Sequence, residues 1–216
     1  MIRILYGGTF DPVHDGHLAV AEAASALLAA DVDLLPSADP PHRAVPGASA
    51  LQRAAMLDLA VEGHPRLHVD RRELRRGGPS YSYDTLQEVR TEIGSEAPLA
   101  WLLGADAFHD LTTWHRWREL FDLAHLIVAV RPGHPLDPLA PALQLEVAAR
   151  WTDDPVLLET TANGLLLLLD LPLRFEAASK LRARIASGAA WEDETPPAVA
   201  AYIHAHGLYE GARRGG

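Results

Sequence analysis

Two histidines in a glycine-rich segment are the strongest chemical feature of this sequence. His14 and His17 lie in GGTFDPVHDGH, which begins at Gly7 and has Gly16 between the histidines. The glycines allow a phosphate to approach the backbone closely, and the start of a helix already favours an anion. Two imidazoles directed at that point would stabilise charge that develops on a phosphorus centre. Two histidines alone are also compatible with caps on a surface helix.

Short apolar runs that alternate with helical patterns predict the elements that hold these residues in place. Strands are predicted over residues 2–6, 32–35, 67–69, 99–103, 124–130 and 165–169, and helices over 16–30, 51–61, 83–93, 177–186 and 197–206. Such alternation produces parallel βαβ units, so the predicted class is α/β. We expect a Rossmann-like parallel sheet with helices on both faces and a small helical C-terminal part from about residue 171. One domain is expected over residues 1–216.

The candidate residues follow predicted strands, which places them at one edge of the sheet. Ligands of open parallel sheets bind beyond the carboxyl ends of the strands. This rule predicts that segments 7–9, 36–43 and 104–106 meet. Residues 36–46 are rich in proline and are predicted as a loop.

Composition argues against several classes of protein. The chain has 216 residues and a net charge of −10, which is unsuited to coating nucleic acid or to a polybasic membrane surface. It has no cysteine, so disulfides, thiolate catalysis and zinc–sulfur sites are excluded. The leucine run 165–169 is far shorter than the ~20 residues that cross a bilayer, and the first apolar run is too short for a signal peptide. We expect a cytoplasmic protein without nucleic-acid or membrane partners.

Segment 7–17 resembles the His-x-Gly-His signature of the nucleotidyltransferase superfamily, and further motifs resemble bacterial nicotinate-nucleotide adenylyltransferases. These motifs are PPHR at 40–43, SYSYDTL at 80–86, GAD at 104–106, Trp114, HLIV at 125–128 and RPG at 131–133. The resemblance covers nearly the whole chain, and the motif order is as specific as the motifs. It implies transfer of AMP from ATP to nicotinate mononucleotide in NAD biosynthesis, which gives deamido-NAD and pyrophosphate. It also implies Mg²⁺ held mainly by the ATP phosphates, which suits a sequence without a carboxylate cluster.

The resemblance assigns ATP binding to the first motif, the fourth strand end and a C-terminal helix. The expected residues are Gly7, Gly8, Thr9, Phe10, His14, Gly16, His17, Gly104, Asp106, Ser179 and Arg182. The two histidines would be catalytic and contact the α- and β-phosphates, while Ser179 and Arg182 would hold the β- and γ-phosphates. Asp106 would accept hydrogen bonds from ribose hydroxyls, although a simple helix cap is an alternative.

Two further groups of residues are expected to bind phosphate and nicotinate mononucleotide. His42 and Arg43 follow two prolines that restrain the backbone, and arginine suits bidentate phosphate contacts, although an ordinary surface loop fits the pattern too. Thr85 falls in the first turn of a predicted helix, whose N–H groups suit the nicotinate carboxylate. Trp114 offers a face to the cationic pyridine ring. Core packing is its alternative, and Trp117 competes for the role, but the resemblance to the family motif favours Trp114.

One motif departs from the family pattern Ile-Ser-x-Thr-x-Ile-Arg. The corresponding run here is EAASKLR at 176–182, so Ala177 replaces the first serine. A lost hydroxyl contact would weaken ATP binding by about 1 kcal/mol, and Lys180 is a candidate to compensate.

Two other functions are compatible with parts of the sequence. Phosphopantetheine adenylyltransferases share the first motif but are typically shorter, and they leave residues 80–86 and Trp114 unexplained. A non-catalytic nucleotide-binding regulatory module is suggested only by Ala177. The sequence leaves open the preference for nicotinate over nicotinamide mononucleotide, and whether the protein is a monomer or a homo-oligomer.

Overall fold

Seven strands form one parallel sheet in the computed structural model, which describes residues 1–38, 47–130, 136, 138–170 and 177–210. The strands are β1 (Arg3–Gly8), β2 (Val32–Pro36), β3 (Leu67–Val69), β4 (Leu99–Gly104), β5 (His125–Val130), β6 (Trp151–Thr152) and β7 (Leu166–Asp170). Their order is β3-β2-β1-β4-β5-β7-β6, and every pairing is parallel. The chain order reverses between β1 and β4, and such switch points are where open α/β sheets bind ligands.

Helices cover both faces of the sheet. They are α1 (Asp15–Leu28), α2 (Ala50–Val61), α3 (Arg72–Arg76), α4 (Ser82–Ile93), α5 (Ala105–His109), α6 (Pro141–Val147), α7 (Val156–Thr160), α8 (Ala178–Ser187) and α9 (Pro197–His206). Short 3-10 helices span Leu111–Thr113, Trp117–Asp122 and Glu192–Glu194. In the part of the chain that the structure describes, no helix combines the length and apolar character needed to cross a membrane.

Two hydrophobic cores lie on opposite faces of the sheet because neighbouring side chains along a strand point in opposite directions. In β1, Ile4 belongs to the core that includes residues of α1, α2, α8 and α9. The adjacent Leu5 belongs to the core that includes residues of α4, α5 and α6. The two C-terminal helices therefore pack on the same face as α1.

The predicted fold class is confirmed, and each predicted strand and helix agrees with the structure to within two residues at each end. The missed elements are α3, α5, α6, α7, β6 and the 3-10 helices. Each is too short to show a hydrophobic period. The C-terminal part contains α8 and α9 as predicted, whereas the single-domain assignment stays a prediction.

Candidate active site

Three loops that carry candidate residues meet at the carboxyl edge of the sheet. β2, β1 and β4 are adjacent, and Gly8 at the end of β1 pairs with Pro36 at the end of β2. The Ser37 backbone N–H donates to the Gly8 carbonyl at 3.0 Å. β4 ends at Gly104 and leads directly into α5. The described parts of the three predicted segments therefore share one edge.

The structure stacks the two motif histidines against each other at the start of α1. His14 is the N-cap residue in an extended conformation, and its ring centroid lies 3.8 Å from that of His17. The His14 backbone N–H donates to Nδ1 of His17 at 3.3 Å. A ring nitrogen that accepts a hydrogen bond carries no proton, so the proton of neutral His17 is on Nε2. The motif thus combines a stacked imidazole pair with the positive end of the α1 dipole.

The buried ring of Phe10 packs against His17. Phe10 is 2% exposed, and its ring lies edge-on to His17 with the centroids 5.0 Å apart. Phe10 also adopts a φ of 49°, which a non-glycine residue rarely takes. Its ring would be 2.9 Å from a Cβ placed on Gly8. The Phe10 side chain thus packs inward, and its expected contact with ATP stays a prediction.

Tertiary packing leaves no room for a side chain at Gly7, in addition to any need for a phosphate to approach the backbone there. The strand was expected to end before the glycines, but it continues through Gly7, which pairs with Leu35. A Cβ on Gly7 would be 2.3 Å from the indole of Trp101 on β4. The Nε1 atom of Trp101 is buried and has no hydrogen-bond partner among the described residues. No local sequence pattern predicts this role of Trp101, because its packing against β1 is long-range.

Distant side chains hold alternate carbonyls of the loop between β1 and α1. The pairs are Arg53 with Thr9 (2.6 Å), Arg182 with Asp11 (2.5 Å) and Thr195 with Val13 (2.9 Å). Arg53 is fully buried and also donates to the Ser37 carbonyl at 2.6 Å. Burial lowers the pKa of the Arg53 guanidinium, and the negative charge of Asp11 opposes that shift. These contacts fix the loop that carries His14. Arg53 and Thr195 lie far from that loop in the sequence, so no motif predicted their role.

The carboxylate of Asp11 is buried at the base of the same loop. It accepts hydrogen bonds from the backbone N–H groups of Gly47 (2.8 Å) and Ala48 (3.1 Å) and from the Tyr209 hydroxyl (2.7 Å). With these donors in place, the Asp11 carboxylate is engaged by the protein itself. Among the described residues, no group of three or more His, Cys, Asp or Glu side chains could hold a metal ion.

α8 brings one of the expected phosphate ligands, Arg182, to this loop. Arg182 contacts Asp11 through Nη1, which joins α8 to the first motif. Ser179 and Lys180 are exposed in the first turn of α8. Ala177 is the N-cap residue of this helix, with φ −128° and ψ 130°. The family serine would therefore occupy a helix-capping position, a role that sequence reasoning did not identify.

The end of β4 presents the candidate ribose ligand. Gly104 is the N-cap residue of α5, and no atom lies within 4 Å of a Cβ placed on it. Asp106 follows in the first turn of α5 and is exposed. There is therefore free space beside the backbone of Gly104, and the carboxylate of Asp106 is exposed close by in the sequence. Gly16 lies in the first turn of α1, on the other side of the switch point.

Thr85 is a buried residue whose polar atoms are bonded within the protein, and its expected role in binding nicotinate mononucleotide stays a prediction. It is fully buried, and its backbone N–H donates to the Tyr81 carbonyl at 3.2 Å within the first turn of α4. Its hydroxyl donates to the buried carboxylate of Glu73 at 2.7 Å and accepts from Arg76 at 3.0 Å. Burial raises the pKa of Glu73, and hydrogen bonds from Thr85 and Ser80 oppose that shift. The network fixes the start of α4, while the polar atoms of Thr85 are already bonded.

The structure distinguishes the two candidate tryptophans. Trp117 is 9% exposed and belongs to the second core, with the Arg118 guanidinium 4.2 Å from its ring centroid. Trp114 is only partly buried at the edge of that core. The neighbouring His115 ring lies 4.7 Å from the Tyr81 ring, so this segment covers the start of α4. Trp114 is therefore partly exposed, next to a residue that covers that helix terminus.

Some candidates lie outside the described residues. These are His42 and Arg43 of the predicted phosphate loop, with Pro40 and Pro41 before them, and the RPG motif at 131–133.

Comparison with known proteins identifies relatives along almost the whole chain. Residues 5–171 match the family model described as cytidylyltransferase-like. The chain is 53% identical over 214 residues to a protein of Stenotrophomonas maltophilia (strain K279a) named probable nicotinate-nucleotide adenylyltransferase, covering 96% of each. A protein of Cronobacter sakazakii with the same name is 44% identical over 212 residues, covering 98% of this chain and 97% of the relative.

Solved structures share the fold. Plasmodium falciparum nicotinic acid mononucleotide adenylyltransferase complexed with NaAD superposes with a TM-score of 0.74 at 15% identity, covering 96% of this chain and 97% of that chain. The same protein complexed with APC has a TM-score of 0.71 at 15% identity, covering 96% of both chains.

Proposed function

This chain belongs to the nicotinate-nucleotide adenylyltransferase family, and we propose that it transfers AMP from ATP to nicotinate mononucleotide. The products are deamido-NAD and pyrophosphate. The observation that carries the proposal is the stacked pair of His14 and His17 at the start of α1, beside the switch point of the sheet. That arrangement suits a phosphate group that gains negative charge during the reaction.

The reaction is an in-line displacement at the α-phosphorus of ATP. A 5′-phosphate oxygen of nicotinate mononucleotide forms the new bond to phosphorus, and the bond to the oxygen bridging the α- and β-phosphates breaks. The nucleophile is already anionic, so no general base is required. Catalysis then rests on positioning and on charge stabilisation, as in other phosphoryl transfers. The Nε2–H of His17 donates to the oxygen on which charge develops, while the His14 backbone N–H holds its ring.

ATP lies across the edge formed by β1, β4 and α8. The carboxylate of Asp106 accepts from the ribose hydroxyls, and the open backbone at Gly104 gives the nucleoside room. Ser179 and Arg182 hold the β- and γ-phosphates from the first two turns of α8. His42 and Arg43 add positive charge on the phosphate side.

Nicotinate mononucleotide lies between the start of α4 and Trp114. The first-turn N–H groups of a helix have no partner within the helix, so α4 offers donors to the nicotinate carboxylate. Trp114 stacks on the pyridine ring. Thr85 acts indirectly, because its hydrogen bonds to Glu73 and Arg76 fix that helix terminus.

Mg²⁺ fits this site as a partner of the ATP phosphates. The Asp11 carboxylate is engaged by two N–H groups and one hydroxyl, and the described residues form no cluster of metal ligands. A cation held by phosphate oxygens and water is compatible with that arrangement. When bound, Mg²⁺ neutralises charge on the leaving pyrophosphate.

An assay of pyrophosphate release from ATP tests the proposal. Nicotinate mononucleotide should support turnover, with formation of deamido-NAD verified by mass spectrometry. Turnover with phosphopantetheine instead would identify a different adenylyltransferase. Binding of ATP without turnover of either substrate would indicate a regulatory nucleotide-binding module. A parallel assay with nicotinamide mononucleotide measures the preference for acid over amide.

A further inference from the structure

A C-terminal tyrosine reaches the base of the histidine loop. The Tyr209 hydroxyl donates to Oδ1 of Asp11 at 2.7 Å, across a separation of 198 residues. Burial raises the pKa of Tyr209, and the hydrogen bond to Asp11 raises it further, so the hydroxyl stays a protonated donor. Nothing in the proposed reaction uses this group directly.

The position of Tyr209 is defined by its backbone and by its packing. Its φ of 63° lies in the left-handed region that non-glycine residues rarely adopt, and such a conformation persists where the surroundings hold it. The ring lies against Gly47, where a Cβ would be 2.8 Å from the nearest ring atom. It also packs against the first core. The hydroxyl is therefore directed at one oxygen of Asp11.

The same carboxylate faces the guanidinium that is proposed to bind ATP phosphates. Nη1 of Arg182 lies 3.6 Å from Oδ2 of Asp11 and donates to the Asp11 carbonyl at 2.5 Å. Both contacts use Nη1, and the side chain of Arg182 is 37% exposed, so the guanidinium also has an accessible side. The Asp11 carbonyl thus holds Arg182 in place, while the Asp11 carboxylate competes with a phosphate for the positive charge of the guanidinium.

We propose that Tyr209 is a positioning residue for the ATP phosphates, acting through Asp11 on Arg182. Its hydroxyl supplies a hydrogen bond to the Asp11 carboxylate, which limits the pull of that carboxylate on the arginine. Without the hydroxyl, Oδ1 loses a short hydrogen bond and the carboxylate draws Arg182 into a closer ion pair. The arginine then turns away from the β- and γ-phosphates. The proposal rests on the proposed function, specifically on the phosphate role of Arg182.

Tyr209→Phe tests the proposal, with Tyr202→Phe as the matched control. Tyr202 is on the preceding helix α9 and stacks on His206 instead, with the centroids 4.1 Å apart. Tyr209→Phe should raise the KM for ATP about tenfold, the scale of one hydrogen bond to a charged group, and leave the KM for nicotinate mononucleotide within about twofold. In the reverse reaction the KM for pyrophosphate should rise similarly. Tyr202→Phe should change neither.

A double-mutant cycle with Arg182→Gln separates positioning from general loosening of the fold. Because Tyr209 acts through Arg182, Tyr209→Phe should have little further effect on ATP affinity in the Arg182→Gln background. Additive losses would overturn the proposal, as would equal changes in both KM values or no change at all.

Gly47→Ala is a second variant, for use if Tyr209→Phe does not fold. The added methyl group displaces the Tyr209 ring and should give the same ATP-selective loss. An unchanged KM for ATP in that variant also overturns the proposal.

Calorimetry of ATP binding without a second substrate distinguishes this proposal from the proposed function. Weaker ATP binding by Tyr209→Phe supports the positioning role even if wild-type protein fails to turn over nicotinate mononucleotide. Equal ATP binding by both proteins overturns the role even if the wild-type enzyme is active.

Discussion

The His14 backbone N–H donates a hydrogen bond to Nδ1 of His17 at 3.3 Å, so the first histidine of the motif orients the second. The bond assigns the proton of neutral His17 to Nε2, and that N–H is the donor that we propose for phosphate. Helix α1 begins at the same point, which adds the positive end of its dipole.

Replacement of His17 should therefore lower turnover. The loss should be smallest when the new side chain places an N–H near the position of Nε2. His17→Ala should reduce kcat by about 10²–10³-fold, the scale of one preorganised donor. His17→Gln, whose amide reaches toward the Nε2 position, should retain more activity than His17→Asn. Steady-state kinetics at saturating ATP measure the series. Near-normal kcat in the alanine variant would remove His17 from the reaction.

Trp114 and Trp117 should respond differently to truncation. Trp114→Ala should raise the KM for nicotinate mononucleotide much more than the KM for ATP, because Trp114 is proposed to stack on the pyridine ring. Trp117→Ala should mainly lower stability, by about 3–5 kcal/mol, because Trp117 is buried in the second core. Kinetics and urea unfolding separate the two effects. Equal KM changes for both substrates in Trp114→Ala would exclude stacking.

Ala177→Ser should stabilise the protein because Ala177 is the N-cap residue of α8. A serine hydroxyl at this position accepts from a first-turn N–H, which is worth about 0.5–2 kcal/mol. Ala178→Ser is the control, since Ala178 is the first residue within the helix and its hydroxyl cannot cap it in that way. Urea unfolding measures both variants. Equal stability changes would show that capping is not the cause.

His125 should make stability fall at low pH. Its Nδ1 accepts from the Leu165 N–H at 3.1 Å, and Nε2 lies 3.0 Å from the Thr161 carbonyl, so both neutral-ring nitrogens are used. Burial lowers the pKa of His125 below its ordinary value of 6.5. Below about pH 6.5 the unfolded chain therefore takes up a proton that the folded protein does not, and the free energy of unfolding decreases until the lower folded pKa is reached.

Comparison of wild-type protein with His125→Gln isolates this contribution. Below pH 6.5 the free energy of unfolding of the wild-type protein should fall more steeply than that of the variant, by at most about 1.4 kcal/mol per pH unit. Urea unfolding from pH 8 to pH 5 measures both proteins. Identical pH dependence would show that His125 does not titrate on unfolding.

The sequence alone determined the features that depend on residues close to one another along the chain. Apolar runs and helical periods located the main strands and helices to within two residues, and the βαβ alternation implied the parallel sheet. The spacing of His14 and His17 around Gly16 also belongs to one helix start, so local geometry alone brings the two rings together. The family motifs then identified the chemistry.

Only the tertiary structure decided which distant residues support that chemistry. Arg53 reaches Thr9 across 44 residues, and Tyr209 reaches Asp11 across 198. No periodic pattern encodes such pairs, because they depend on how helices from different parts of the chain pack on one face of the sheet. The same reason applies to the hydrogen bond from the Thr85 hydroxyl to Glu73, which the motif around Thr85 does not predict. Burial and hydrogen-bond satisfaction are properties of the packed molecule, so they follow from the tertiary structure and not from any local sequence pattern.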